Sequence, residues 1–220
     1  MKDVVQGIRV ALFDLDGTLF DSVGMWHEID RIFLAKRGLM PTSEYIHHIA
    51  ALGFRATADY TIEYYGLKDS AEKLMDEWTE LARDAYSNTV KTFTGVTEYL
   101  EHCKAAGVTI AAVTSGRRDF AEACMKNNGI YEYFSRIFTS DEAGLLKSSP
   151  EIFVFVAKAL GATADECVVF DDVPTAIKAA KSAGMHTVAV ENAVYAQDYD
   201  GAADYIVRSL IDAPKIIGIK

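Results

Sequence analysis

The sequence has little cysteine, little proline, no long apolar run and no excess of positive charge. Three cysteines, Cys103, Cys124 and Cys167, occur in 220 residues, far apart and in no CxxC arrangement. That excludes a disulfide framework and a zinc cluster, points to a reducing compartment, and leaves the thiols as small core residues. With 4 prolines and no low-complexity tract, no Pro-rich linker separates independent modules. Nowhere do about 18 uncharged apolar residues run together, so a membrane-spanning helix is not expected. Residues Met1 to Gly7 hold no apolar segment of signal-peptide length, and a cytoplasmic protein is the expectation. The 22 basic residues against 32 acidic ones give a formal charge of −10 and a pI near 4.9. Such a balance opposes sequence-independent binding to nucleic acid or an anionic membrane surface. A monomer acting on a small soluble ligand is the expected form.

What is present is an ordinary globular composition, 50% hydrophobic and 25% charged. Runs of β-branched and aromatic residues too short for helices read as buried strands at Ile8 to Phe13, Val108 to Val113, Cys167 to Phe170 and Thr187 to Val190. Weaker strands are expected at Arg136 to Phe138 and Tyr205 to Val207. Helical patterns at Val96 to Ala106, Asp119 to Asn128, Pro150 to Leu160 and Val173 to Ala183 each stop at a glycine. Thr163 to Glu166 fits a capping box with room for one helical turn before the strand at Cys167. Strand and helix alternate from Gly95 onward, which implies right-handed crossovers and an α/β, doubly wound parallel sheet.

Residues 22–91 break that alternation with helical periodicity alone. Met25, Trp26, Ile29, Ile32 and Phe33 form one apolar stripe, and Leu74, Met75, Trp78, Leu81, Ala82 and Ala85 form another. The expected organisation is a core of residues 1–21 and 92–220 with an inserted all-helical unit at 22–91, joined near Phe20-Asp21 and Lys91-Thr92.

In a parallel sheet of this kind ligands gather beyond the carboxyl ends of the strands. Reading off those ends gives Asp14 and Asp16, then Thr114 and Ser115, then Asp171 and Asp172. Crowded carboxylates are costly without a cation, and hard oxygen donors with no His or Cys nearby suit Mg²⁺. A carboxylate beside Mg²⁺ is a nucleophile suited to a phosphoryl group, and a second one two residues on, turned aside by Gly17, suits proton transfer. Thr114 and Ser115, at a strand-to-helix junction, offer hydroxyls and amides to phosphate oxygens. Lys147, the basic residue in the loop before Pro150, supplies positive charge for the transferring group.

The stretch Val10 to Leu19, containing Asp14-Leu15-Asp16-Gly17-Thr18, followed in order by Thr114, Lys147 and Asp171-Asp172, resembles the haloacid dehalogenase superfamily. The likeness is to its phosphatase branch with a helical cap, the group of phosphoglycolate phosphatases and β-phosphoglucomutases, and covers essentially the whole chain. It implies that Asp14 is the nucleophile and a Mg²⁺ ligand, and that Asp16 is the general acid and base while its backbone carbonyl also binds the metal. It further implies Asp172 as the direct Mg²⁺ ligand of the last motif, Asp171 acting nearby or through water, and Thr114 and Lys147 on the phosphate. Arg55 lies where relatives carry specificity residues and is a candidate substrate contact. Two departures stand out, Lys147-Ser148-Ser149-Pro150 for the usual Lys-Pro-x-Pro and Val173-Pro174-Thr175-Ala176 for the usual Ser-x-x-Gly.

The function so implied is a Mg²⁺-dependent phosphatase of a small phosphorylated metabolite, working through an aspartyl-phosphate, with a phosphosugar mutase as the alternative. A receiver-type signalling module shares an acidic cluster, a Thr and a Lys, but is much shorter, carries its acidic pair after the first strand rather than after a late one like Asp171-Asp172, and has no helical insertion. A dinucleotide-binding enzyme is excluded by the absence of GxGxxG after the first strand.

Overall fold

The computed structural model describes residues 4–49, 52–191, 198–199 and 201–218. The apolar run at the start of the chain divides into two strands, β1 (Val4–Ile8) and β2 (Val10–Phe13). After β2 come the helices α1 (Val23–Ala35), α2 (Ser43–Ile49), α3 (Phe54–Tyr65) and α4 (Ala71–Asp84), then a π-helical turn at Ala85–Thr89. The chain then alternates through α5 (Val96–Ala105), β3 (Thr109–Thr114), α6 (Arg118–Asn127), β4 (Arg136–Thr139), α7 (Ser140–Ala143), α8 (Pro150–Ala159), β5 (Cys167–Asp171), α9 (Pro174–Ser182) and β6 (His186–Val190). The strands β7 (Tyr205–Val207) and β8 (Lys215–Gly218) complete the described elements.

Six strands form one parallel sheet in the order β4-β3-β2-β5-β6-β7. This is the doubly wound architecture read from the alternation, and the reason is the same. Each apolar strand needs both faces covered, and crossover helices supply the cover. Successive residues of β2 go to opposite layers, Ala11 and Phe13 to one apolar cluster, Val10 and Leu12 to the other. The first cluster continues into the inserted helices through Ile29, Phe33, Leu74, Trp78 and Tyr86. Gly107, Gly129, Gly161 and Gly184, which close the four helical patterns, all have positive φ. The capping box at Thr163 is complete and holds a single 3₁₀ turn, Ala164–Glu166.

The split between β1 and β2 is a finding that apolar patterning did not anticipate. β1 leaves the main sheet and pairs in parallel with β8, with the register shifting between Gln6 and Ile8 at Gly7 (φ 77°). α2 and the π-helical turn were likewise not expected. Among the described residues, no helix is long and apolar enough to cross a membrane. The three cysteines are buried and free.

The order of strands decides where a site lies. From β2 the chain winds outward to β3 and β4, then returns to place β5 on the other side of β2, so the sheet changes direction there. Phe13 is level with Ala112 of β3 and Phe170 of β5, which brings Asp14 alongside the ends of both neighbours, where Thr114 and Asp171 are the last strand residues.

Candidate active site

Asp14, Asp171, Asp172 and Lys147 come together at that edge, all buried. Lys147 Nζ lies 2.5 Å from Asp14 Oδ1 and 2.6 Å from Asp171 Oδ2. Burial draws the Lys147 ammonium down, but the charges of Asp14 and Asp171 more than offset this and hold it above its usual range. Burial raises the Asp171 carboxyl to about 6 against the pull of Lys147. Asp172 stands well above the ordinary carboxylate range, again chiefly through burial and then through repulsion from Asp14 and Asp171. Asp171 Oδ1 accepts from the Val173 N–H (2.9 Å) at the start of α9, and Asp172 Oδ1 accepts from Thr18 Oγ1 (3.2 Å).

One carboxylate oxygen from each of Asp14, Asp171 and Asp172 lies within 4.8 Å of the others. Three buried carboxylates against one ammonium leave the cluster short of positive charge, and the donors are hard oxygens only. This arrangement fits a hard divalent cation.

Asp16 is turned elsewhere. Gly17 (φ 85°) reverses the chain, and Leu15 O accepts from the N–H groups of Leu19 and Phe20 (2.9 and 2.8 Å), a tight turn that separates the two acidic side chains. Asp16 Oδ1 then accepts from Ser22 Oγ and from Tyr86 Oη, each at 2.5 Å, and Trp26 Nε1 donates to Tyr86 Oη at 2.6 Å. Burial raises the Asp16 carboxyl, and the two hydroxyl donors partly oppose that rise. Ser22 and Tyr86 escape a reading of the sequence because neither a Ser six residues after Asp16 nor a Tyr 70 residues away carries a mark of that carboxylate.

Thr114 Oγ1 accepts from the Gly116 N–H (2.9 Å), which leaves its own proton to donate. A Cβ on Gly116 would sit 3.2 Å from both Asp16 Oδ2 and Thr114 Oγ1, so the backbone here closes tightly on the space between those two oxygens. Ser115 and Gly116 line the same cleft as Asp14, Asp16, Thr114 and Lys147, and Val173, Thr175 and Ala176 of the departing last motif line it too.

Arg55 does not reach the cleft. It is exposed, with Nη1 2.7 Å from Glu72 and Nε 3.3 Å from Asp59. α3 turns Phe54 and Thr57 towards the cleft, and residue 55, about 100° round the helix, faces solvent. The far wall is built instead from Trp26, His27 and Asp30 of α1, with Ile46, Ile49, Phe54 and Trp78. Asp30 also escaped notice in the sequence, although a carboxylate four residues after Trp26 and three before Phe33 on an apolar stripe is a detectable anomaly.

Residues 11–190 match the family described as haloacid dehalogenase-like hydrolase. The chain belongs to that family. It is 32% identical over 202 residues to the YhcW protein of Bacillus subtilis (strain 168), covering 88% of this chain and 90% of that one. It is 29% identical to hexitol phosphatase A of Escherichia coli (strain K12), over 81% of each chain. Its fold superposes on CbbY from Rhodobacter sphaeroides in complex with phosphate, with a TM-score of 0.81 at 20% identity, over 92% of this chain and 95% of that one. Within the family this protein is a phosphoric monoester hydrolase with a parallel α/β fold.

Proposed function

We propose that the enzyme hydrolyses a small phosphorylated metabolite through a phosphoryl group carried transiently on Asp14. The observation that carries this reading is the convergence of Asp14, Lys147, Asp171 and Asp172 at the switch point of the sheet. An Asp14 carboxylate oxygen attacks phosphorus and the bond to the leaving oxygen breaks. Asp16 gives that oxygen its proton, which its burial-raised carboxyl suits it to carry. Asp16 then takes a proton from water as the water oxygen attacks phospho-Asp14, freeing inorganic phosphate and restoring both carboxyl groups. Lys147 and the Thr114 hydroxyl, with Ser115 beside it, hold the phosphate oxygens.

Asp14 and Asp172, the backbone carbonyl of Asp16, and Asp171 directly or through water would hold a divalent cation, Mg²⁺ by the hardness of the donors. When bound, that cation neutralises charge between the nucleophile and the phosphate oxygens. Residues 22–91 act as a cap over the core, pivoting near Phe20-Asp21 and Lys91-Thr92, and exclude water from the cleft.

Phosphate release from sugar phosphates, nucleotides and small organophosphates tests the reading, with and without Mg²⁺ and with Asp14→Asn as blank. Mg²⁺-dependent release by the native protein alone is expected. Turnover retained in Asp14→Asn overturns the mechanism, and isomerised sugar phosphate in place of inorganic phosphate identifies a mutase.

A further inference from the structure

The cap-side wall of the cleft is apolar, built by Trp26, Ile46, Ile49, Phe54 and Trp78. Set into it is Asp30, which is 7% exposed and yet lines the cavity. Among the described residues its carboxyl has no hydrogen-bond donor and no cationic partner. Desolvation alone raises this group, up to about 7. A buried carboxyl with nothing to bond costs several kcal/mol relative to an apolar side chain of the same shape. Of the other polar groups on this wall, Thr57 spends its hydroxyl proton on Gly53 O at 3.1 Å, burial holds the His27 imidazole towards its neutral form, and Trp78 Nε1 is a buried donor with no partner among the described residues.

We infer that Asp30 is the specificity-determining contact for the leaving group, accepting a hydrogen bond from a hydroxyl or amino group borne on an otherwise apolar, ring-sized alcohol portion of the phosphate ester. This rests on the phosphatase reading and narrows its substrate class. A polyol would place several hydroxyls against the apolar faces of Trp26, Ile46, Ile49 and Phe54, and those out of reach of Asp30, His27, Thr57 and Trp78 Nε1 would lose their water without compensation. An ester with one donor, reaching Asp30, buries its ring on the aromatic and aliphatic wall and satisfies the Asp30 carboxyl. Discrimination of this kind is strong because the analogue lacking the donor leaves a buried polar group unpaired in the complex.

The test compares benzyl phosphate with the phosphate monoesters of the 1,2-, 1,3- and 1,4-benzenedimethanols, and with glucose 6-phosphate, using the full chain with Mg²⁺. The best benzenedimethanol ester is expected to exceed benzyl phosphate in kcat/KM by about tenfold or more, and glucose 6-phosphate to fall below it. In Asp30→Leu the ratio of the best diol ester to benzyl phosphate falls to about one, and in Asp30→Asn, whose amide oxygen still accepts, part of the preference survives. Asp30→Leu also removes an unpaired buried polar group, so its Tm is expected to rise; should that variant fail to fold, Asp30→Asn decides. A native ratio near one, or a ratio unchanged in both variants, overturns the inference and marks Asp30 as an unpaired remnant. If the native protein hydrolyses none of these esters, nor 4-nitrophenyl phosphate, the phosphatase reading is what has failed. Calorimetric binding of the same esters to Asp14→Asn then judges Asp30 separately, by the same ratio expressed in Kd.

Discussion

Tyr86 Oη donates to Asp16 Oδ1 at 2.5 Å, so a side chain from the turn that ends the inserted helices holds a carboxyl in the turn that follows β2. Tyr86 is itself anchored by Trp26 and stacked on Phe120 with ring centroids 5.1 Å apart. Removing the hydroxyl takes one of the two donors from Asp16, leaving Ser22 Oγ, and keeps the stacking ring. Tyr86→Phe is expected to lower kcat for alkyl phosphates about tenfold, the scale of one hydrogen bond to a charged group. Turnover of 4-nitrophenyl phosphate should fall less, because that leaving group needs little protonation. The Tyr86 bond favours ionised Asp16, so its loss raises the carboxyl further, and the acidic limb of kcat, which reports ionised Asp16 in the water step, should move to higher pH. Equal losses on both substrates with an unmoved pH profile would show that Tyr86 only packs.

Gly116→Ala places a methyl 3.2 Å from Asp16 Oδ2 and Thr114 Oγ1. The contact lies where phosphate oxygens are expected, so Asp16 Oδ2 and Thr114 Oγ1 must shift by a few tenths of an ångström to admit the methyl. Inorganic phosphate should inhibit the variant at least about tenfold less well than the native protein, a loss of about 1.4 kcal/mol. Unchanged inhibition would remove the Thr114 corner from the phosphate site.

Lys147 is the ammonium that offsets the buried charges of Asp14 and Asp171. Lys147→Met keeps the bulk and loses the charge. Metal-free protein should be destabilised by about 3–5 kcal/mol, the usual result of breaking a buried ion pair from one side. Added Mg²⁺ should restore part of the loss, since it supplies the missing positive charge, and chemical denaturation with and without the ion reads both effects. Identical destabilisation in the two conditions would argue against a cation among these carboxylates.

Asp30 gives metal-free stability a definite pH dependence. Its carboxyl stands at about 7 in the folded protein against 3.8 as an ordinary aspartate, so the folded state binds the proton more tightly. That contribution is complete below about pH 4 and is lost as pH rises through about 7, with an upper bound of about 4 kcal/mol. Asp171, at about 6, acts in the same sense, while His27, lowered by burial, acts in the opposite one. Tm of chelated protein should therefore fall from pH 5 to pH 8, less steeply in Asp30→Asn than in the native chain. Parallel slopes would contradict the assignment.

The parallel sheet and the residues on its strand ends were legible because both are written locally. β-branched runs followed by Asp, Thr or Gly define strands and their ends, and alternation with helices leaves one topology that puts those ends on one edge. Asp14, Thr114, Asp171 and Asp172 stand out in this way, and Lys147 stands out as the basic residue of the loop before Pro150. Arg55 was misplaced because a residue's neighbourhood in the chain does not reveal the rotation of its helix: the phase of α3 turned Phe54 and Thr57 inward and Arg55 to solvent. The departure of β1 to pair with β8 was hidden too, since pairing partners 211 positions apart leave no local trace.

By itself, the sequence determined the α/β class, the helical run at 22–91 and the candidate reacting groups, because these follow from short-range patterning and from spacings within a motif. Only the tertiary structure decided which of the insertion's residues face the reaction. Ser22 and Tyr86 reach Asp16, and Asp30 stands in an apolar wall with no partner among the described residues, through contacts between elements whose relative rotation is set by packing. The candidate reacting groups are therefore read from the strand ends, and the wall that faces them from the packed helices.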